Sequence, residues 1–124
     1  MQRVQFQKEY LINASDKIIY QCLSTPSGLA EWFADDVNVK GNIYTFFWEG
    51  ESESAELLNC KNDQCVKFRW TEDPDAIFEM RIKIDDLTGD VAIVITDMVE
   101  DDDVEDAELL WDKNMENLRH ALGS

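Results

Sequence analysis

The chain has 124 residues, of which 27 are acidic and 11 are basic, so its formal net charge is −16. This length suits one domain with its own hydrophobic core. Because proteins that bind nucleic acid or anionic membranes rely on Lys and Arg, the charge argues against both kinds of partner.

The first quarter of the chain predicts one strand followed by two short helices. Residues 4–12 alternate between apolar and polar side chains, as in a strand, and Lys8 interrupts the apolar face once. Helix caps are predicted at Ser15 and Thr25, and Pro26 suits a first helical position because its missing N–H has no partner there. The buried sides of the two helices are predicted to carry Ile18, Ile19, Cys22 and Leu23, then Leu29, Trp32 and Phe33.

From residue 37 the apolar period changes to two, which predicts a meander of about six strands. A hairpin with Asn62 and Asp63 at its tip is predicted in the middle, and residues 91–98 close the sheet. The strand over residues 43–48 is predicted to be apolar on both faces, because Tyr44, Phe46 and Trp48 alternate with Ile43, Thr45 and Phe47. The other apolar positions of the meander are Val37, Val39, Ala55 and Leu57, then Val66, Phe68 and Trp70, and finally Phe78, Met80, Ile82 and Ile84, which face one way.

The last element is predicted to be a long helix over residues 104–122 that ends at Gly123. Acidic side chains crowd residues 101–106, where the helix dipole favours negative charge. One stripe of the helix carries Ala107, Leu110, Trp111, Met115, Leu118 and Leu122.

Together these elements predict a single α+β domain over residues 1–124. An antiparallel sheet must cover its apolar face, and only the last helix is long enough to lie across it. We therefore expect a curved antiparallel sheet of about six or seven strands wrapped around a long C-terminal helix. The two short helices then close one end.

The run from Ser15 to Phe33 resembles the helix-loop-helix of the START-like (SRPBCC) helix-grip proteins, in particular the C-terminal domain of the activator of the heat-shock-protein-ninety ATPase. The resemblance covers nearly the whole chain and implies a domain that binds lipids, polyketides or other hydrophobic molecules, with some relatives acting as co-chaperones. This chain departs from the pattern at Leu110–Trp111, where relatives often have Gly–Trp, and in its acidic segment 100–106. Further matches are Gly41 followed by Tyr44, Phe46 and Trp48, then Val66, Phe68 and Trp70, and Trp111–Asp112 with Leu118.

The leading hypothesis for function is non-enzymatic binding of a small hydrophobic or lipid-like ligand between the sheet and the last helix. The same large side chains could instead fill a solid core, and the sequence leaves both interpretations open. An alternative is a protein-interaction module, possible in a chaperone context, whose acidic surface binds a basic partner. The predicted cavity lining comprises Trp32, Tyr44, Phe46, Trp48, Phe68, Trp70, Met80, Ile82, Trp111, Met115 and Leu118.

Catalysis is the weaker hypothesis, and no catalytic residue, metal ligand or cofactor is predicted. His120 is the single histidine, and its place near the end of the last helix predicts exposure rather than pairing with a nucleophile. The acidic clusters lack the spacing of a calcium loop, so we expect them to be solvated surface. A cyclase or hydrolase would need an inward-facing acid or base, for which Asp97 is the candidate.

Three cysteines, Cys22, Cys60 and Cys65, form an odd set without metal-site spacing. Together with the absence of a signal-like or membrane-spanning apolar run, they predict a cytoplasmic protein with reduced thiols. Cys60 and Cys65 would lie opposite each other if the hairpin turn has two residues, within reach of a disulfide. In the expected reducing compartment, the reduced pair is favoured.

Overall fold

One strand and two short helices precede a six-strand meander, and a long helix ends the chain. The computed structural model describes residues 2–58, 60 and 64–123. The elements are β1 (Arg3–Leu11), α1 (Asp16–Ser24), α2 (Pro26–Trp32), β2 (Asp36–Lys40), β3 (Ile43–Trp48), β4 (Glu51–Leu58), β5 (Cys65–Trp70), β6 (Ile77–Ile84), β7 (Val91–Glu100), a 3-10 turn (Asp101–Asp103) and α3 (Val104–Leu122).

All seven strands belong to one antiparallel sheet with the order β1-β7-β6-β5-β4-β3-β2. The first strand pairs with the last, so that Tyr10 lies opposite Ile93. Ile93 in turn lies opposite Ile82, so the side chains of these three residues are on the same face of the sheet. The predicted α+β helix-grip architecture is confirmed.

Local signals in the sequence set the helix boundaries. The Ser15 hydroxyl accepts a hydrogen bond from the Ile18 amide at 3.3 Å, and the Thr25 hydroxyl accepts one from the Gly28 amide at 3.0 Å. At the other end of the chain, Gly123 adopts a left-handed conformation (φ 69°) and closes α3. The predicted caps and the predicted C-terminal stop are therefore confirmed.

The core lies between the concave face of the sheet and the buried stripe of α3. Trp111, Met115 and Leu118 are buried there, as the sequence predicts. Four residues of the predicted apolar patterns are exposed, because no other element packs over them on the outer side of α1, in edge strand β2, at the end of β6 and on the N-terminal half of α3. They are Ile18, Val39, Ile84 and Leu110.

A disulfide joins Cys60 and Cys65, whose Cα atoms are 5.8 Å apart. This corrects the expectation of two reduced thiols. The predicted hairpin places both residues near the ends of adjacent strands, close enough for the bond to form. Cys22 is a free, buried thiol, and the predicted turn at Asn62 and Asp63 lies outside the described residues.

Candidate functional site

The middle of the helix grip is filled by side chains. Phe46, Phe68, Met80, Met115 and Leu118 are all fully buried and belong to one contiguous cluster. The rings of Phe46 and Phe68 meet edge to face with centroids 5.8 Å apart. This part of the predicted cavity lining is packed core.

A cavity of about 190 Å³ with mainly apolar walls lies beside residues 110–114, in the middle of α3. We call it the mouth cavity. Three residues of the predicted lining, Trp48, Trp70 and Trp111, form part of its wall. The remaining lining residues are Phe33, Glu53, Phe78, Asp97, Leu110 and Asn114.

Phe33 organises the aromatic wall of the mouth cavity. Its ring lies 5.7 Å from Trp48, 5.8 Å from Phe78 and 6.1 Å from Trp111, measured between centroids. The indole N–H of Trp48 donates to the Phe33 carbonyl oxygen at 2.8 Å. Because ring contacts and a hydrogen bond hold these side chains, the wall is preformed.

Asp97 is the acidic group on the inner side of this wall. Its Oδ2 accepts a hydrogen bond from the Trp111 indole N–H at 2.8 Å, and its Oδ1 accepts one from the Met98 amide at 2.8 Å. Burial raises the pKa of Asp97, and the two hydrogen bonds oppose that rise in part. The register places Asp97 opposite Phe6, on the concave face, where the sequence predicted an inward-facing carboxyl group.

Three other residues of the predicted lining lie elsewhere in the core. Trp32 donates its indole N–H to the Cys22 carbonyl at 2.8 Å, and the Tyr44 hydroxyl donates to the Ser24 carbonyl at 2.9 Å. Ile82 is buried in the sheet. The polar groups of Trp32 and Tyr44 thus anchor the α1–α2 segment and do not reach the mouth cavity.

Sequence reasoning did not assign Phe33, Phe78, Leu110, Glu53 or Asn114 to a cavity. The first three did show apolar periodicity, which marks a buried face but does not distinguish a cavity wall from packed core. Glu53 carries no such signal. It pairs with Phe46 in the β3–β4 register, which brings its carboxylate to the concave side.

A wider groove of about 720 Å³ lies toward the C-terminal end of α3. Its wall comes from residues 11–15, residues 89–91 and Arg119, none of which belongs to the predicted lining. The Arg119 guanidinium donates to the Leu11 carbonyl at 2.8 Å, so this side chain ties α3 to β1. The mouth cavity is the better candidate site because it combines aromatic walls with a few polar groups.

One group of described side chains lies close enough together to be considered as a metal site. Donor atoms of Cys60, Cys65 and Glu79 lie within 4.8 Å of one another. The two sulfurs are joined in the disulfide, whereas a metal binds thiolates.

No described helix has both the length and the apolar character that crossing a bilayer demands. His120 is exposed, as predicted.

Comparison with solved structures finds the same fold in bacterial proteins. BfR322 from Bacteroides fragilis is 32% identical, with 98% of this chain and 93% of that chain covered and a TM-score of 0.69. The Aha1 dimer from Colwellia psychrerythraea is 18% identical, with 96% of each chain covered and a TM-score of 0.80. MLL2253 from Mesorhizobium loti is 15% identical, with 97% of each chain covered and a TM-score of 0.78.

The two more distant structures show the fold alone, and the likeness to Aha1 agrees with the resemblance seen in the sequence. No curated protein matches the chain significantly. The START-like superfamily domain matches residues 1–124, the full length of the sequence. With a helix grip, a preformed cavity at its mouth and this match over its whole length, the chain belongs to the START-like superfamily.

Proposed function

We propose that this domain binds a small hydrophobic ligand, without catalysing a reaction on it, and that the apolar part of the ligand enters the mouth cavity. The observation that carries the proposal is the preformed aromatic wall of Phe33, Trp48, Trp70, Phe78 and Trp111 around an open space of about 190 Å³. Members of the superfamily commonly bind hydrophobic molecules.

The volume restricts what can enter. An apolar cavity of about 150 Å³ accepts benzene, whereas whole drug-sized ligands occupy about 300–1,000 Å³. The mouth cavity therefore suits one ring or one branched group. A surface groove of about 480 Å³ shares Phe33, Trp48, Leu110 and Asn114 with it and runs between α2 and α3, so a longer ligand can continue there.

Binding without chemistry is supported by the side chains in the wall. The described lining contains no histidine, cysteine, serine or lysine, so Asp97 and Glu53 are the candidate acid or base groups within it. Asp97 already accepts hydrogen bonds from Trp111 and Met98, and Glu53 is exposed. The polar groups thus have the arrangement of recognition groups on an apolar wall.

Two neighbouring leucines provide a matched test. Leu110 lines the mouth cavity and is 60% exposed, whereas Leu109 is 61% exposed and does not line it. Benzyl alcohol, titrated while the indole N–H signals are followed by NMR, should shift Trp48, Trp70 and Trp111. We expect Leu110→Glu to weaken this binding and Leu109→Glu to leave it unchanged, with native mass spectrometry checking for a retained ligand. Equal effects of the two substitutions would rule out the mouth cavity.

A second candidate is the protein-interaction module with an acidic surface. Its supporting observation is the exposed cluster Asp101–Asp103, Glu105 and Asp106 around the start of α3. Surface charge pairs weaken as salt rises. A purified chaperone that binds through this cluster should therefore be retained at low salt, released at high salt and lost on reversal of the cluster to lysine. Salt-independent retention would contradict an electrostatic surface.

A further inference from the structure

The surroundings of the mouth cavity are acidic. Glu53 and Asp97 line it, and its described lining contains no Lys or Arg. The groove between α2 and α3 adds Glu31 and Asp35 together with Lys113. On the other side, a groove of about 320 Å³ shares Glu53 and Trp70 with the cavity and adds two more acids, Glu72 and Asp73.

Most of this negative charge has no cation within the fold. Among the residues that the structure describes, Asp73 pairs with Arg3 at 2.6 Å, but no salt bridge involves Asp97 or Glu53. A half-buried carboxylate without a counter-charge is unfavourable, and the raised pKa of Asp97 reflects that cost. A positively charged ligand would supply the missing charge.

The aromatic wall favours the same kind of ligand. A cation is attracted to the face of an aromatic ring within about 6 Å of its centroid, and Trp is the most favourable ring. Three tryptophans and two phenylalanines line one cavity here. Aromatic residues grouped around a small space, with carboxylates beside them, form the kind of site that recognises organic ammonium groups.

We infer that the ligand of the mouth cavity carries an organic ammonium group, held between the three tryptophans and the carboxylates of Asp97 and Glu53. The inference rests on the proposed function and adds the charge of the ligand to it. Anionic lipids are excluded because their charge would meet these carboxylates. A neutral ligand would leave Asp97 without a counter-charge.

Two isosteric probes separate charge from shape. Choline and 3,3-dimethylbutan-1-ol differ in that a carbon replaces the quaternary nitrogen, and both dissolve in water. We expect choline to shift the indole N–H signals of Trp48, Trp70 and Trp111 and to bind about ten-fold tighter than the alcohol, since ring and carboxylate attraction add to the apolar contact. The backbone amide of Asp86, an exposed turn residue outside the lining of the mouth cavity, should stay unshifted and so reports on the fold.

Asp97→Asn is the decisive variant, because its side-chain amide oxygen can still accept from the Trp111 indole while the charge is lost. It should remove most of the preference for choline, whereas Asp86→Asn, the same change at an exposed turn residue, should not. Equal affinities for choline and the alcohol, or a choline preference that survives Asp97→Asn, overturn the ammonium inference while the proposed function stands. If choline, the alcohol and benzyl alcohol all leave the three indoles unshifted, both fail.

Discussion

The indole nitrogen of Trp111 lies 2.8 Å from Oδ2 of Asp97 and donates its proton to it. This bond joins α3 to β7 at the inner wall of the mouth cavity. It therefore holds a carboxylate in a place where an apolar side chain would otherwise be expected. Stability and the proposed ligand recognition therefore depend on the same pair.

Replacing Trp111 with Phe keeps an aromatic ring but removes the donor to Asp97. Because a hydrogen bond to a charged group contributes about 1.5–3 kcal/mol, we expect the free energy of unfolding to fall by about that amount. Urea denaturation of the single variants and of Trp111→Phe/Asp97→Asn measures the coupling. The loss should be smaller in the Asp97→Asn background, and an equal loss would show that only ring volume matters.

Asp97→Asn should stabilise the protein at neutral pH. The folded-state pKa of Asp97 is raised by burial, so the contribution of this carboxyl group is fully present below its unfolded pKa and is lost as pH rises through the folded pKa. The gain from Asn should therefore be largest near neutral pH and shrink toward acid. Urea midpoints at several pH values, with Asp86→Asn as control, check this. A wild type that is more stable than the variant at pH 7 would contradict the sign.

Asp112 links α3 to β1 through two donors. Its Oδ1 accepts from the Lys8 ammonium at 2.7 Å and from the Tyr10 hydroxyl at 2.6 Å. We expect Tyr10→Phe to cost about 1 kcal/mol at any ionic strength. Lys8→Met should cost less than about 1 kcal/mol because the pair is partly exposed, and salt should reduce that cost. Equal salt dependence of the two variants would contradict this division.

The stabilisation that comes from the Lys8–Asp112 contact should depend on pH with the opposite sign to that of Asp97. Hydrogen bonds from Lys8 and Tyr10 lower the pKa of Asp112. Its contribution is therefore present above the unfolded pKa and lost as pH falls through the folded pKa. The cost of Lys8→Met should accordingly disappear in acid.

Gly28 lies where α2 packs against the last turn of α1. A Cβ added there would meet the Gln21 carbonyl oxygen, the Cys22 Cα at 2.7 Å and the Thr25 hydroxyl at 2.8 Å. Although Gly→Ala in a helix usually stabilises by up to about 1 kcal/mol, here we expect a loss of about 1–3 kcal/mol from overpacking. Thermal or urea unfolding checks this, with the exposed neighbour Ser27→Ala as control. Stabilisation by Gly28→Ala would show that the helices can separate freely.

The thiol content tests the Cys60–Cys65 disulfide. Under denaturing, non-reducing conditions we expect one reactive thiol, that of Cys22, which burial protects in the folded protein. Mass spectrometry should find two hydrogens fewer than in the reduced chain. Three reactive thiols in protein purified without reductant would restore the prediction made from the sequence.

Local patterns were sufficient to predict the elements. The bounds of α3 were predicted at residues 104 and 122 because the signals that mark them lie within the helix or next to it. These signals are its apolar stripe, its acidic start and Gly123. Strand faces followed from alternation, since the side-chain period of a strand is two. A long helix over an antiparallel meander then left few arrangements, and the helix-grip architecture was predicted for that reason, while the START-like family was predicted from the resemblance.

Only the tertiary structure decided which of those apolar residues surround open space. Trp111 and Met115 share one helical stripe, yet Met115 is fully buried in the core while Trp111 faces the mouth cavity. Lys8 interrupts an apolar face in the sequence, and its partner Asp112 is 104 residues away. Periodicity determines which face of an element is buried. The curvature of the sheet and the position of α3 across it determine whether that face meets another side chain, a counter-charge or a cavity, because these depend on contacts between residues far apart in the chain.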